Sequence, residues 1–296
     1  MNRKSHGILL SLLLAIATSL SIFPSAAATK PLTQSQALAK WDGDKFPATG
    51  LWLLEDFNLG FNESSLSKVT TTNGITQSVL CESLSDEKGW MKGAGVFETI
   101  KTVGNKPWAL SRHMRRAVSS AQRLGLVFPS EDSVRGSVER LLEHERFEQG
   151  VLRLSFGTDG NWSAAHISYE GWSTGARVIT YKKEISAVKQ PIKSFPYDHR
   201  INILDEVKAQ GADEAIVLNE HGQVSEGSVT NLLFLLDGDW ITPPITDGVL
   251  PGVMRALVIE YCGVLVRSIS ASDLPSVQSG FLLSSLRIAQ PIASID

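Results

Sequence analysis

The chain has 296 residues, 28 Lys and Arg against 31 Asp and Glu, a net charge of −3, and 43% hydrophobic and 20% charged residues. This length allows one large or two modest domains, each able to bury a core. The slightly acidic balance argues against nucleic acid or an anionic membrane as the main partner, because counterion release needs a basic surface. Cys81 and Cys262 are too few and too far apart for a disulfide framework or a zinc spacing. The histidines form no HExxH or His/Cys cluster, so no metal site is expected.

In chain order, Arg3, Lys4 and His6 precede an apolar stretch over 8–23 that ends in Pro24-Ser25-Ala26-Ala27-Ala28. That is the layout of a secretory leader over 1–28 with a cut after Ala28, and its apolar part, about 16 residues, is at or below the lower limit for a spanning helix. An organellar presequence or a misassigned start produces the same pattern. Residues 29–84, rich in Ser, Thr and Asn towards their end, read as an extension of strands and loops.

Order begins at Gly93-Ala94-Gly95-Val96-Phe97-Glu98-Thr99-Ile100, a β-like run that reaches a turn at Gly104-Asn105-Lys106-Pro107. Met114, Ala117, Val118, Ala121 and Leu124 then share one stripe of a helix expected over 111–124. A second helix is expected from Ser130, as N-cap, through Phe147, followed by strands over 151–156 and 164–169. Gly171-Trp172-Ser173-Thr174-Gly175 matches the GxSxG nucleophile elbow of serine hydrolases, but the β-branched run after it is strand-like where an elbow needs a helix. It reads instead as a linker between two halves. Beyond it, a strand over 177–181, a helix over 203–210 stopped by Gly211, a strand over 215–218, a turn at 219–222 and a strand over 231–236 are expected. A helix opened by Pro251-Gly252 and a short strand over 280–284 follow. The whole reads as two α+β halves with mixed sheets.

Few single residues carry chemistry by themselves. Gly252 before a helix start would aim the N–H groups of Val253 and Met254 outward, which suits a phosphate, although an ordinary Pro-Gly turn looks the same. Lys193, between Pro191 and Pro196, and Glu226, before Gly227-Ser228, read as solvated surface groups if taken alone.

Their order gives them weight. Gly211-Ala212-Asp213-Glu214-Ala215, then Glu226-Gly227-Ser228-Val229-Thr230-Asn231-Leu232, Thr242-Pro243-Pro244 and Leu250-Pro251-Gly252-Val253-Met254-Arg255 together resemble the fold-type IV, or class IV, pyridoxal-phosphate enzymes. This family includes branched-chain and D-amino-acid aminotransferases and 4-amino-4-deoxychorismate lyases. The resemblance covers roughly 85–296. It implies a two-domain α+β fold, with a small domain over 85–171 and a larger cofactor-binding domain over 172–296. It also implies pyridoxal 5'-phosphate as cofactor, a small-molecule amino substrate, a homodimer and a cytoplasmic catalytic domain, with export or an organelle as the alternative if the leader acts.

The family's pattern, counted back from Glu214 without a gap, reaches Lys193 as the residue that forms the Schiff base with the cofactor and moves protons. By the same resemblance Tyr197 meets the cofactor's ring oxygen, Glu226 faces the pyridine nitrogen, and Leu250 packs on the ring face. Arg116 and Ser285 reach the phosphate, together with the Val253 and Met254 N–H groups of the helix start, and Phe97 and Thr230 line the substrate pocket, with an ordinary core place as the equal alternative for Phe97. His113 and Arg115 read as surface helix. The family usually has Asp where this chain has Ala94 and Asn where it has Pro196. The wording around 97–100, 252–255 and 285–292 looks most like an aminodeoxychorismate lyase, giving 4-aminobenzoate and pyruvate, with an aminotransferase as the alternative. A secreted binding module that kept the fold without the chemistry is the non-enzyme reading, opposed by the presence of Lys193, Glu226 and Arg116. No arginine is assigned to the substrate carboxylate.

Overall fold

The structure, a computed structural model, describes residues 69–72, 75–78, 90–144, 146–181 and 191–296. The leader expected over 1–28 and most of the 29–84 extension lie outside the described residues. Among the described residues no helix is long and apolar enough to cross a membrane. Backbone packing separates two units. One takes the described residues up to Glu170 together with Ile192–Tyr197, and the other takes Gly171–Pro191 and Asp198–Asp296.

The first unit opens with β1 (Val69–Thr72) and β2 (Ile75–Ser78), which fall within the extension and are strands as expected. Then come β3 (Gly95–Val103), β4 (Lys106–Pro107), helices α1 (Leu110–Leu124) and α2 (Glu131–His144), β5 (Gln149–Gly157) and β6 (Trp162–Ser168). The second unit begins with β7 (Ala176–Thr180). The chain then returns to the first unit for β8 (Ser194–Phe195), which pairs with β3. The sheet runs β1-β2-β6-β5-β3-β4, with β8 beside β3.

Side chains along β3 alternate between the sheet's two faces. Val96 and Ile100 join Met114, Ala117, Val118 and Ala121 of α1 and Val134, Val138 and Leu141 of α2 in one core. Phe97, on the opposite face, packs with Met91 and Phe195 in a separate cluster flanked by Trp90 and Tyr197. The helical stripe read from sequence therefore covers one face of this sheet through Met114, Ala117, Val118 and Ala121, whereas Leu124, at the end of the helix, is exposed. Helix α2 ends at His144, short of the expected Phe147. Asn105, in the β3–β4 turn, donates to the Leu142 carbonyl at 2.6 Å and accepts the Phe147 N–H at 2.9 Å, so a side chain from elsewhere takes up the groups that further helix would have used.

In the second unit α3 (Asp198–Lys208) is followed by β9 (Glu214–Ile216), β10 (Asn231–Leu236), β11 (Asp239–Thr242), α4 (Val253–Cys262), β12 (Leu265–Val266), β13 (Ser279–Ser284) and β14 (Ile288–Ile295). Its sheet runs β12-β11-β10-β13-β14-β7-β9, antiparallel at its centre and parallel where β7 meets β14 and β9. One core gathers Val178, Leu232, Phe234, Ile241 and Leu282, and another gathers Ile203, Leu204 and Val207 of α3 with Ala215 and Val217. Helix α3 starts five residues before the expected 203, because its first turn opens on the polar Asp198-His199-Arg200 and leaves no apolar period to read. Residues 171–175 are irregular and are followed by a strand, as the linker reading requires.

Candidate active site

Lys193 and Tyr197 lie in the first unit with Phe97. The β3–β8 pairing sets Ser194 opposite Val96 and Phe195 opposite Gly95, and the Phe97 N–H donates to the Lys193 carbonyl at 3.0 Å. The backbone around the lysine is thus fixed as an added edge of the sheet. Its half-buried amine sits 4.4 Å from the centroid of the Phe97 ring and 5.0 Å from that of Tyr197. Trp90 completes the aromatic wall, 4.8 Å from Phe97 and stacked 6.4 Å from Tyr197. The Phe195–Pro196 peptide beside Tyr197 is cis.

Gly95 is required for this pairing. A Cβ there would overlap the Phe156 carbonyl oxygen and stand 2.7 Å from Cζ of Phe195. Gly95, at the start of the β-like run read from sequence, thus serves close backbone approach.

On the helix face of the same strand, Glu98 is wholly buried and takes three charge-assisted or polar hydrogen bonds. Arg116 donates through Nε at 2.8 Å and Nη2 at 2.6 Å, and the imidazole Nδ1 of His113 lies 2.6 Å from the same carboxylate. Burial by itself would raise the Glu98 pKa, but Arg116 and then His113 outweigh it and hold the carboxyl at about 2. His113 is pushed down by burial, against the opposing pull of Glu98, so the imidazole is neutral and donates Nδ1–H. The expectation that His113 is a surface residue is therefore corrected: it is buried beneath α1, whereas Arg115 beside it is exposed. Arg116 is presented by a partner that fixes its plane, a feature the sequence reading did not foresee.

The second unit gathers Glu226, Leu250 and the start of α4. One oxygen of the buried Glu226 carboxylate accepts from Arg200 Nη2 at 2.7 Å. The other accepts from Asn231 Nδ2 and from the Leu250 N–H, both at 3.0 Å. Asn231 also donates to the Leu250 carbonyl at 3.1 Å, so this one side chain ties the carboxylate to the approach to α4. Gly252 is the N-cap of α4 without any side-chain cap, and the N–H groups of Val253 and Met254 open the helix there. Gly252 has an ordinary extended φ of −71°, so its smallness rather than its freedom matters: a Cβ would overlap Asn231 Oδ1.

Arg255, buried one residue later, donates to the Pro243 carbonyl at 2.8 Å. Its pKa is lowered by burial and partly restored by the charge of Glu226. Thr230 donates to buried Glu214 at 3.1 Å, and Ser228 donates to the same carboxylate through both its N–H and its hydroxyl. Thr230 therefore has its hydroxyl committed to the support behind Glu226-Gly227-Ser228. Ser285 occupies the turn between β13 and β14.

Sequence reasoning missed Trp90, Arg200 and the role of Asn231. Only Asn231 had a signal, as part of the quoted Glu226 to Leu232 run. Taken unit by unit, the first holds a primary amine beside aromatic rings, which suits an aldehyde, and the second holds a buried carboxylate and an uncapped helix start, which suit a basic ring nitrogen and a phosphate. The residues present thus fit pyridoxal phosphate.

Comparison with known proteins agrees. Residues 95–295 match the family model described as amino-transferase class IV. A branched-chain-amino-acid aminotransferase of Pseudomonas aeruginosa is 27% identical over 241 residues, 69% of this chain and 76% of that protein. A bifunctional aminodeoxychorismate lyase / D-amino acid transaminase of Mycobacterium tuberculosis is 24% identical over 246 residues, 72% and 85% of the two. A solved structure described as a candidate 4-amino-4-deoxychorismate lyase of Legionella pneumophila superposes with a TM-score of 0.64 at 25% identity, covering 68% of this chain and 83% of that one. A matched segment spanning most of the chain, on a fold shared with these enzymes, makes this protein a member of the pyridoxal-phosphate-dependent class IV aminotransferase family.

Proposed function

We propose that the protein is a lyase that converts 4-amino-4-deoxychorismate to 4-aminobenzoate and pyruvate, with Lys193 as the residue that bears the cofactor. The observation that carries the family chemistry to this residue is the position of its amine over the Phe97 and Tyr197 rings, on a backbone held by β3. Pyridoxal phosphate, when bound, supplies a sink for the electron pair released as a bond at the substrate's amine-bearing carbon breaks.

The chain's own groups divide the remaining work. Lys193 would hold the cofactor through its aldehyde and, once the substrate amine has displaced it, would serve as the base and acid for the proton at the amine-bearing carbon. Glu226, whose orientation Asn231 and the Leu250 N–H fix, would hold a proton at the ring nitrogen. By the family resemblance the Val253 and Met254 N–H groups, Ser285 and Arg116 would hold the phosphate, and Glu98 fixes the orientation of Arg116. Tyr197 would meet the ring oxygen and Leu250 would pack on the ring, while Phe97 and Trp90, in contact with each other, would limit the access of water to the amine.

The lyase reading is supported by the wording of 97–100 and 252–255 and by the lyase names among the similar proteins. The second reading, an aminotransferase acting on branched-chain or D-amino acids, is supported by the branched-chain and D-alanine aminotransferases among the relatives. Incubation with aminodeoxychorismate, and separately with leucine or D-alanine plus 2-oxoglutarate, separates the two by product. Formation of 4-aminobenzoate and pyruvate is expected, and transamination without it would refute the lyase. Borohydride reduction and peptide mapping should place the cofactor on Lys193. An adduct on another residue, or on none, would refute the assignment.

A further inference from the structure

The carboxylate at 226 already has a cationic partner. Arg200, in the first turn of α3, places Nη2 2.7 Å from one Glu226 oxygen and Nη1 3.3 Å from the Gly227 carbonyl, with both side chains largely buried. The other oxygen has two neutral donors, Asn231 Nδ2 and the Leu250 N–H. Two further charges flank the group: Arg255 of α4, which feels the charge of Glu226, and Glu214 of β9, packed across Gly227. A carboxylate that shares its charge with a guanidinium in a poorly solvated site attracts a second cation less strongly than an isolated one.

We propose that Arg200 is a positioning residue that weakens the hold of Glu226 on the ring-nitrogen proton of the bound cofactor. The proposal rests on the reading in which Glu226 faces that nitrogen. Its consequence is a weaker electron sink than the carboxylate would create alone. Such a site suits a reaction whose product is stabilised independently, as in an elimination that leaves an aromatic ring.

The test is the ring-nitrogen titration of the holoenzyme, followed by NMR on cofactor labelled with nitrogen-15. In wild type this nitrogen should lose its proton within the pH range where the protein stays folded. In Arg200→Gln the titration should move up by roughly 1 to 3 pH units, the size expected when an opposite charge at such a distance gains or loses influence. Arg200→Lys, which keeps a cation, should titrate near wild type. Equal shifts in the Gln and Lys variants, or no shift in Gln, would overturn the proposal. Should the Gln variant not fold, a wild-type ring nitrogen that stays protonated until alkaline unfolding overturns it as well. Failure of the cofactor to attach to Lys193 would instead refute the parent reading.

Discussion

Replacing Glu98 with glutamine tests the buried cluster that orients Arg116. The carboxylate accepts two hydrogen bonds from Arg116 and one from His113. An amide offers one oxygen and one NH2, so at least one donor must face another donor. The magnitude follows from the carboxyl's displacement from 4.5 to about 2. At about 1.4 kcal/mol per unit of pKa this amounts to about 3 kcal/mol of preference for the ionised form. Stranding one member of a buried pair costs about 3 to 5 kcal/mol, which agrees. Urea unfolding at neutral pH should therefore show Glu98→Gln less stable by about 3 kcal/mol, and a cycle with Arg116→Gln should be strongly non-additive. A loss below about 1 kcal/mol, or additive single and double variants, would refute the reasoning.

The same cluster sets a pH dependence. The folded pKa of Glu98 lies below its unfolded value, so its contribution is present above about 4.5 and is lost as pH falls towards about 2. The lowered pKa of His113 acts in the same direction from a higher pH, because the unfolded chain takes up that proton first as pH drops through 6.5. Unfolding free energy measured against pH should decline through both windows, and Glu98→Gln should flatten the lower one; an unchanged lower limb would contradict this. Gly252→Ala, with a backbone alanine tolerates but a Cβ that overlaps Asn231 Oδ1, should lose about 1 to 3 kcal/mol and bind pyridoxal phosphate more weakly. Wild-type affinity in a spectroscopic titration would show that Asn231 has room to move. Gly95→Ala should lose about 3 kcal/mol or fail to fold, since its Cβ meets the Phe156 carbonyl and the Phe195 ring. A soluble variant with wild-type melting would remove the argument that this glycine sets the β3–β8 pairing.

The sequence by itself determined what depends on short-range pattern. The apolar stripes of α1 and α2 and the β-rich run of β10 each express a face that must be buried, and such periods survive into the fold. The ordered set of segments from Gly211 to Arg255 pointed to the family, and by resemblance to Lys193 and Glu226 as the residues to test. Tertiary structure alone decided the partners that lie far apart along the chain. Glu98 meets Arg116 and His113 because strand alternation turns it towards α1, and the residue types alone left His113 as surface. Arg200 lies in a polar helical turn with no periodic signal, and only the fold brings its guanidinium to Glu226. The return of 194–195 to pair with β3 is also invisible to local pattern, because two residues carry too little hydrophobic period to specify a partner. Local period identifies which faces are buried, whereas the contacts of a buried charge depend on where the packed chain places its opposite.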